Sequence, residues 1–464
     1  MLSKLQRSLG LRYVVVVVIA NIIGSGIYKK AAPMAAELNS SGWVLIAWAV
    51  GGIITLFGAL SNAEVAGLLA ETGGEYAYYK KIYNRFFAFV FGWSTFTVIE
   101  TAGISSLAYV FAESFNNVVS LPQLFPHLSN YNIGGIFYPF AEFTIKLTAI
   151  VLIILLTWVN TKGIKSGAGM SNVLLALVFF GIFLIVVFGL GSKESELIRS
   201  VNLQTSDNKP IAISSFFTAM LSAFWAYQGW VAIGFIGGEI KDAKKIIPKG
   251  IAIGVLMVIG LYLLVNTTYL SLLPVERLKE IYESKNSIAA VEAVRTFWGS
   301  GGAFFISILI LVSTLGCAHA TILASSRTYF AMAREGLFFP NVARLNKAHV
   351  PQNSLIVQCT WACILVLSGT FDQLTDMIIF AVFIYYAATA LGVFILRKKM
   401  PDAPRPYKVW GYPVVPAIFI IFSGGLVLNT VFSRPREAML GMVLILTSVP
   451  LYWWFRKNGK QWVS

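Results

Sequence analysis

Charge is what this 464-residue chain has least of: Asp, Glu, Lys and Arg make up 12% of it, against about 25% in a soluble globular domain. Hydrophobic residues make up 57% and the mean hydropathy is +0.73. A chain so poor in charge must turn much of its surface toward lipid, which excludes a soluble enzyme, a disordered chain and a collagen. Cysteine is nearly absent as well. Cys317, Cys359 and Cys363 all lie in apolar runs, so they read as small buried hydrophobes rather than a disulfide framework. Histidine is limited to His127, His319 and His349. Cys317 and His319 stand at i and i+2, on different faces of a helix, and no further ligand cluster accompanies them, so no metal site is expected. No Ser-His-Asp set and no P-loop occurs. The chain offers nothing from which to build an enzyme, and no cofactor is implied.

Apolar stretches are what it has instead. Spans fall near 11–36, 43–70, 85–118, 139–160, 165–191, 213–238, 249–273, 300–330, 353–370, 373–396, 412–432 and 437–456, each long enough for a hydrocarbon core roughly 30 Å thick. The basic start followed by Val14–Ala20 has the flavour of a signal peptide, but no small-residue cleavage site follows it and eleven further spans do. The intervening loops are too short for a soluble domain. The segment 331–348 has an amphipathic pattern and is expected along the membrane surface.

The net charge of +15 belongs to the membrane rather than to nucleic acid, because Lys and Arg collect in cytoplasmic loops. One set of alternate loops, with both chain ends, holds 24 of the 36 basic residues. It runs from Lys4, Arg7 and Arg12 through Lys80, Lys81 and Arg85 to Arg456, Lys457 and Lys460. Both termini are therefore expected in the cytoplasm, and an even number of spans agrees. Trp43, Tyr138, Trp298, Trp410, Tyr452 and Trp453 lie near span ends and fit an interfacial belt.

The informative feature is where polar residues and glycine interrupt the apolar runs. The first span turns from a Val-rich run into Asn21, Ile22, Ile23, Gly24, Ser25, Gly26 and Ile27. The sixth carries Phe224, Trp225, Ala226, Tyr227, Gln228 and Gly229, with Gly234, Gly237 and Gly238 beyond. Backbone groups freed by a break are tolerated at membrane depth only where they line a cavity or bind something. A half-helix that starts after a break offers free N–H groups to a carboxylate. One that ends before a break offers carbonyls to an ammonium group. Alone, the two glycines fit close helix packing; paired with a second interruption five spans later, they point to a substrate site.

Ile23-Gly24-Ser25-Gly26-Ile27 resembles the first-helix signature of amino acid permeases of the amino acid–polyamine–organocation superfamily. Ala63-Glu64 with Thr72–Tyr78, Phe224–Trp230, Gly238–Pro248, and Ser313-Thr314 with Ser325–Gly336 resemble later family segments in the right order. The L-type branch, bacterial members included, is the most similar. The resemblance implies an all-α membrane protein of the leucine-transporter fold. Two inverted halves, about 11–191 and 213–396, would be followed by accessory helices at about 412–456. It implies that the backbone N–H groups of Ser25, Gly26 and Ile27 hold a substrate carboxylate, beside Ile23 and Gly24. It implies that carbonyls near Ile22, Trp225 and Gln228 hold the ammonium, with Ala226 and Gly229 in the same break and Trp225 as a gating aromatic. The function implied is secondary transport of an L-amino acid across the plasma membrane by alternating access, as an exchanger or an ion-coupled carrier.

Some residues depart from the family pattern. A lysine usual in the fifth helix of relatives is missing from Val173–Val178. Ser313 and Thr314 supply hydroxyl oxygens where a sodium site would need them, so the residues leave sodium coupling open. Gln228 stands where relatives often have glycine, which favours small neutral substrates. Glu100 lies deep in the third span; such a carboxylate is expensive in a membrane, and it reads equally as an ion-coupling group or as a structural one. Lys29, Lys30 and Lys146 are expected to snorkel toward the headgroups, Glu64 to support structure, and Glu239 to pair with basic neighbours at an inner helix end. The sequons at Asn39 and Asn266 are short enough to arise by chance. A polyamine carrier would want more acidic residues in the cavity, and a transport-inactive amino acid sensor would look the same in sequence. The outer loop at 120–138 has no cysteine, so the disulfide-linked heavy chain of some animal relatives is not expected.

Overall fold

The computed structural model describes residues 9–69, 74–134, 137–162, 168–231, 240–284, 288–348, 350–405 and 407–458, with backbone alone over 168–175. These residues are almost entirely helical, and no strand occurs among them. In order the helices are α1 (Leu11–Ile22), α2 (Gly26–Lys29), α3 (Ala31–Leu38), α4 (Ser41–Leu68), α5 (Gly74–Ile82), α6 (Arg85–Ser94), α7 (Glu100–Val118), α8 (Phe143–Thr161), α9 (Ala168–Leu190) and α10 (Leu197–Ser200). They continue as α11 (Ile213–Tyr227), α12 (Ala243–Leu272), α13 (Val275–Ser284), α14 (Ala289–Arg334), α15 (Gln352–Ser368), α16 (Phe371–Lys399), α17 (Val414–Ser433), α18 (Pro435–Leu446) and α19 (Ser448–Asn458).

Among the described residues, eight helical stretches are long and apolar enough to cross a membrane, and four shorter apolar helices accompany them. Two of the short ones, α1 and α11, are the first and sixth spans, cut short where the sequence is interrupted. The eighth span begins where expected, after a kink that separates it from a preceding short helix. The stretch Ala289–Arg334 is two helices meeting at Gly299, where φ is 63° and ψ is −155°, and the second of them is the span expected at 300–330. The second half of the sixth span, including Gly234, Gly237, Gly238 and Glu239, lies outside the described residues, as do Lys165 and His349.

The outward face is apolar. On α8, Val151, Ile154, Leu155 and Trp158 are all exposed; their i, i+3, i+4, i+7 spacing makes one lipid-facing stripe. Inside, small residues bring helices together, as expected where apolar burial alone gives no preference for a neighbouring helix over lipid. Gly250 and Gly254 of α12 receive Val14 and Val18 of α1, and a β-carbon at either glycine would lie within 2.7 Å of those side chains. α12 also packs along α4, while α7 packs against α14 and α16 against α17.

The segment after Arg334 does not lie along the surface as a helix. The chain turns at Gly336 (φ 73°), buries Leu337 and Phe338, and makes a short 3-10 turn over Pro340–Ala343. Phe338 packs on Trp93, Phe96 and Phe455. The apolar face that suggested a membrane-surface helix is spent on an aromatic cluster inside the protein.

Candidate functional site

α1 ends at Ile22 and α2 begins at Gly26, so the chain is unwound over Ile23, Gly24 and Ser25. The break follows from the residues: two glycines and a serine carry little helix propensity, and no side chain caps either end. The amides of Gly26 and Ile27 open a new helix, where first-turn N–H groups have no intrahelical partner. α11 ends at Tyr227, and Gln228 is extended at φ −66° and ψ 153°. Gly229 follows at φ +119°, and a β-carbon there would fall 2.2 Å from the carbonyl oxygen of Asn21. A β-carbon on Gly26 would fall 2.5 Å from Cα of Ala226. The two interruptions therefore touch each other backbone to backbone. Ile22, Ile23, Gly24, Ser25, Gly26 and Ile27 come together with Trp225, Ala226, Gln228 and Gly229.

Tyr262 of α12 ties the two breaks. Its phenol lies 3.0 Å from the carbonyl oxygen of Ile22 and 3.0 Å from that of Ala226. One proton is shared between two of the carbonyls that the breaks set free. The Trp225 carbonyl accepts from the Gln228 N–H at 3.3 Å. The carbonyls proposed from sequence for an ammonium are thus partly engaged, and each keeps a second lone pair. The Trp225 indole N–H points to Ser25 Oγ at 3.4 Å, which sets the ring across the first break.

Two cavities flank the breaks. One of about 570 Å³ is lined by Lys29, Glu113, Glu142, Phe371, Asp372 and Arg434, among others. It is bordered by Thr370–Gln373 at the start of α16 and by Ser433–Arg436 between α17 and α18. The other, about 10 Å³, lies among Thr55, Phe224, Tyr227, Gln228, Trp230, Phe383, Tyr386 and Phe419, with room for roughly one water molecule. Bonds tie the C-terminal ends of α4 and α16, away from Phe371. Arg397 donates two hydrogen bonds to Glu64, at 2.9 and 2.7 Å, and Glu64 also accepts from the Val409 N–H at 2.7 Å. Tyr79 donates to the Tyr385 carbonyl at 2.8 Å, and Lys80 pairs with Glu335 at 3.2 Å.

The lysine expectations are overturned. Lys29 is buried in an ion pair with Glu113 of α7. Lys30 is fully buried and donates to Asp372 at 2.6 Å and Thr375 at 2.7 Å. Lys146 is fully buried and donates to the Tyr138 carbonyl at 2.5 Å. Each finds an acceptor inside the bundle, so none needs to reach the headgroups. Glu100 opens α7 directly after a π-helical turn at Thr95–Ile99 and lies within electrostatic reach of Glu75, Tyr329 and Tyr386. Ser313 and Thr314 are buried on α14, which packs against α2; the Thr314 hydroxyl donates back to the Ile310 carbonyl at 2.7 Å. Among the described residues no His, Cys, Asp and Glu group is arranged to hold a metal.

Sequence reasoning passed over Tyr262, Phe371, Glu113 and Asp372. A phenol in the middle of the apolar run Gly260–Val265 was a readable signal for Tyr262. Glu113 and Asp372 become readable as partners only once the two lysines are known to be buried.

Residues 9–455 match the family model described as amino acid permease. The serine/threonine exchanger SteT of Bacillus subtilis (strain 168) is 29% identical over 460 residues, covering 98% of both chains. The large neutral amino acids transporter small subunit 2 of Mus musculus is 28% identical, over 97% of this chain and 81% of its own. The b(0,+)-type amino acid transporter 1 of Homo sapiens is 26% identical, over 97% and 88%.

Proposed function

The chain belongs to the amino acid permease family, and from that premise we propose that it exchanges small neutral L-amino acids across the plasma membrane by alternating access. The observation that carries the reading is the contact between the two breaks, where Gly229 meets Asn21 and Gly26 meets Ala226. The amides of Ser25, Gly26 and Ile27 take the substrate carboxylate. The carbonyls of Ile22, Trp225 and Gln228 receive its ammonium, and Trp225 closes over it. Four or five charge-assisted hydrogen bonds of about 1.5–3 kcal/mol each give micromolar to millimolar affinity after association costs.

Small substrates are supported by Gln228, a larger polar side chain at the second break, which stands beside Phe224, Tyr227 and Trp230. Exchange is supported by the name of the Bacillus relative. Ser313, Thr314 and Glu100 are the groups on which cation or proton coupling would rest. The corresponding breaks, one after the 12-residue α1 and one after the 15-residue α11, support reading 11–191 and 213–396 as inverted halves. The basic residues on the side of the chain ends support cytoplasmic termini, and we read no covalent partner at 120–138.

The test is uptake of labelled serine into proteoliposomes preloaded with unlabelled amino acid, with serine, threonine, alanine, leucine, arginine and spermidine as competitors. Inhibition by the first three and dependence on internal amino acid are expected. Replacing sodium with choline and removing the pH gradient separate exchange from coupling. Uptake blocked by spermidine and untouched by serine, threonine or alanine would overturn the reading.

A further inference from the structure

Lys29 and Lys30 sit on α2 and at its end, in the half-helix that starts at the first break, and both ammonium groups approach the same ring. Lys29 Nζ lies 4.6 Å from the Phe371 centroid and Lys30 Nζ 4.7 Å from it. Phe371, the first residue of α16, is 1% exposed and lines the cavity of about 570 Å³ on the vestibule side. On its other side it meets Trp225 edge-on, with centroids 6.0 Å apart and planes at 84°. Trp225 in turn reaches Ser25. Phe371 thus stands between the cavity and the Trp225 ring that lies across the first break.

We propose that Phe371 is the lid separating the vestibule from the site at the two breaks, and that Lys29 and Lys30 together hold it closed. The reasoning is one of shared anchors. A cation over an aromatic face is held by the ring quadrupole, more strongly when water is excluded. Here two cations share one desolvated ring, and each is fixed by an acid from a different helix. Lys29 pairs with Glu113 of α7. Lys30 pairs with Asp372, beside the lid on α16, and with Thr375. Swinging Phe371 off Trp225 takes the ring away from both ammonium groups at once. The same lysines lie three and four residues beyond Gly26, so a displacement of α2 on filling the site reaches the lid directly. A merely structural pair of ion bridges predicts the opposite pattern: their loss would lower stability and leave access unchanged.

This inference rests on the site reading above, and the test keeps the two apart. Cys317, Cys359 and Cys363 are replaced by serine, and Ser25→Cys places a reporter thiol beneath Trp225. A membrane-impermeant thiol reagent is added to intact cells and, separately, to inside-out vesicles from the same cells. Phe371→Ala is expected to raise labelling of the reporter thiol from the vestibule side about tenfold, corresponding to loss of both cation–π contacts, Lys29's and Lys30's, at about threefold each. Phe371→Tyr keeps the ring and is expected to label at the parent rate, and Phe371→Leu keeps bulk but not the quadrupole and is expected in between. Lys29→Met with Glu113→Gln removes one anchor without leaving a buried charge and is expected to raise labelling about threefold. Unchanged labelling in a monodisperse Phe371→Ala protein overturns the lid. Labelling of Phe371→Leu equal to the parent, or no rise in the variant altered at both Lys29 and Glu113, overturns the role of the lysines. Reporter labelling that ignores saturating amino acid of every class in the competition panel, while still responding to Phe371→Ala, overturns the site reading alone.

Discussion

The phenol of Tyr262 lies 3.0 Å from the carbonyl oxygen of Ile22, the last helical residue before the first break. At 3.0 Å it also reaches the carbonyl of Ala226, just inside the second. Buried carbonyls left without a donor are costly, and these two are supplied from a third helix. The first prediction follows. Tyr262→Phe removes the hydroxyl and keeps the ring, so it should destabilise the protein by about 1–3 kcal/mol. Because the loss falls on both breaks at once, amino acid uptake should drop several-fold more than the amount of folded protein. Uptake per folded molecule and thermal unfolding in detergent are the measurements. A variant equal to the parent in both would show that the breaks are held by other means.

A second prediction comes from three glycines in the two breaks that differ in what surrounds them. A β-carbon at Gly24 would have nothing within 4 Å, one at Gly26 would fall 2.5 Å from Ala226 Cα, and one at Gly229 would fall 2.2 Å from the Asn21 carbonyl oxygen with φ at +119°. Alanine should therefore be tolerated at 24, impair transport at 26, and prevent folding or transport outright at 229, where backbone opposes it and L residues are strained. Gly26→Leu should abolish uptake for a stronger reason than filling a carboxylate position, since it drives the two breaks apart. The check is uptake and size-exclusion profile for each. Equal tolerance at 24 and 229 would contradict the close approach.

Much of this was legible in the sequence because membrane burial leaves a strong trace. The spans follow from apolar length, and the break at Ile23–Ser25 follows from residues that do not continue a helix. The fate of the lysines was not legible. Snorkelling is the default for a lysine near a span end, and only the placement of Glu113, 84 residues away, and Asp372, 342 residues away, reverses it for Lys29 and Lys30. The 331–348 segment misled for a related reason. An amphipathic pattern reports one apolar face and does not say whether lipid or Trp93, Phe96 and Phe455 will cover it.

The last prediction concerns Glu75 of α5, in the connection between the second and third spans. Its carboxyl is buried, lies 3.3 Å from the Tyr79 phenol, whose proton it shares with the nearer Tyr385 carbonyl, and lies 3.4 Å from the Thr389 hydroxyl. Burial pushes its pKa up to about 7; hydrogen bonds from Tyr79 and Thr389 act the other way, and Glu100 adds to the rise. Tyr78 and Tyr386 also lie within electrostatic reach. A carboxyl whose folded pKa lies above its unfolded value stabilises the fold at low pH. That contribution is complete below the unfolded value of 4.5 and is lost as pH rises through about 7. The wild-type protein should therefore lose about 3 kcal/mol of stability between those two limits and beyond, as far as this group is concerned. Glu75→Gln keeps the neutral shape and should remove that slope, matching the parent at low pH and exceeding it above neutrality. Thermal unfolding in detergent across this pH range reads the difference. If the two proteins ran parallel at every pH, the proton would not be held at Glu75, and the acid-dependent part of the stability would have to come from elsewhere in the bundle.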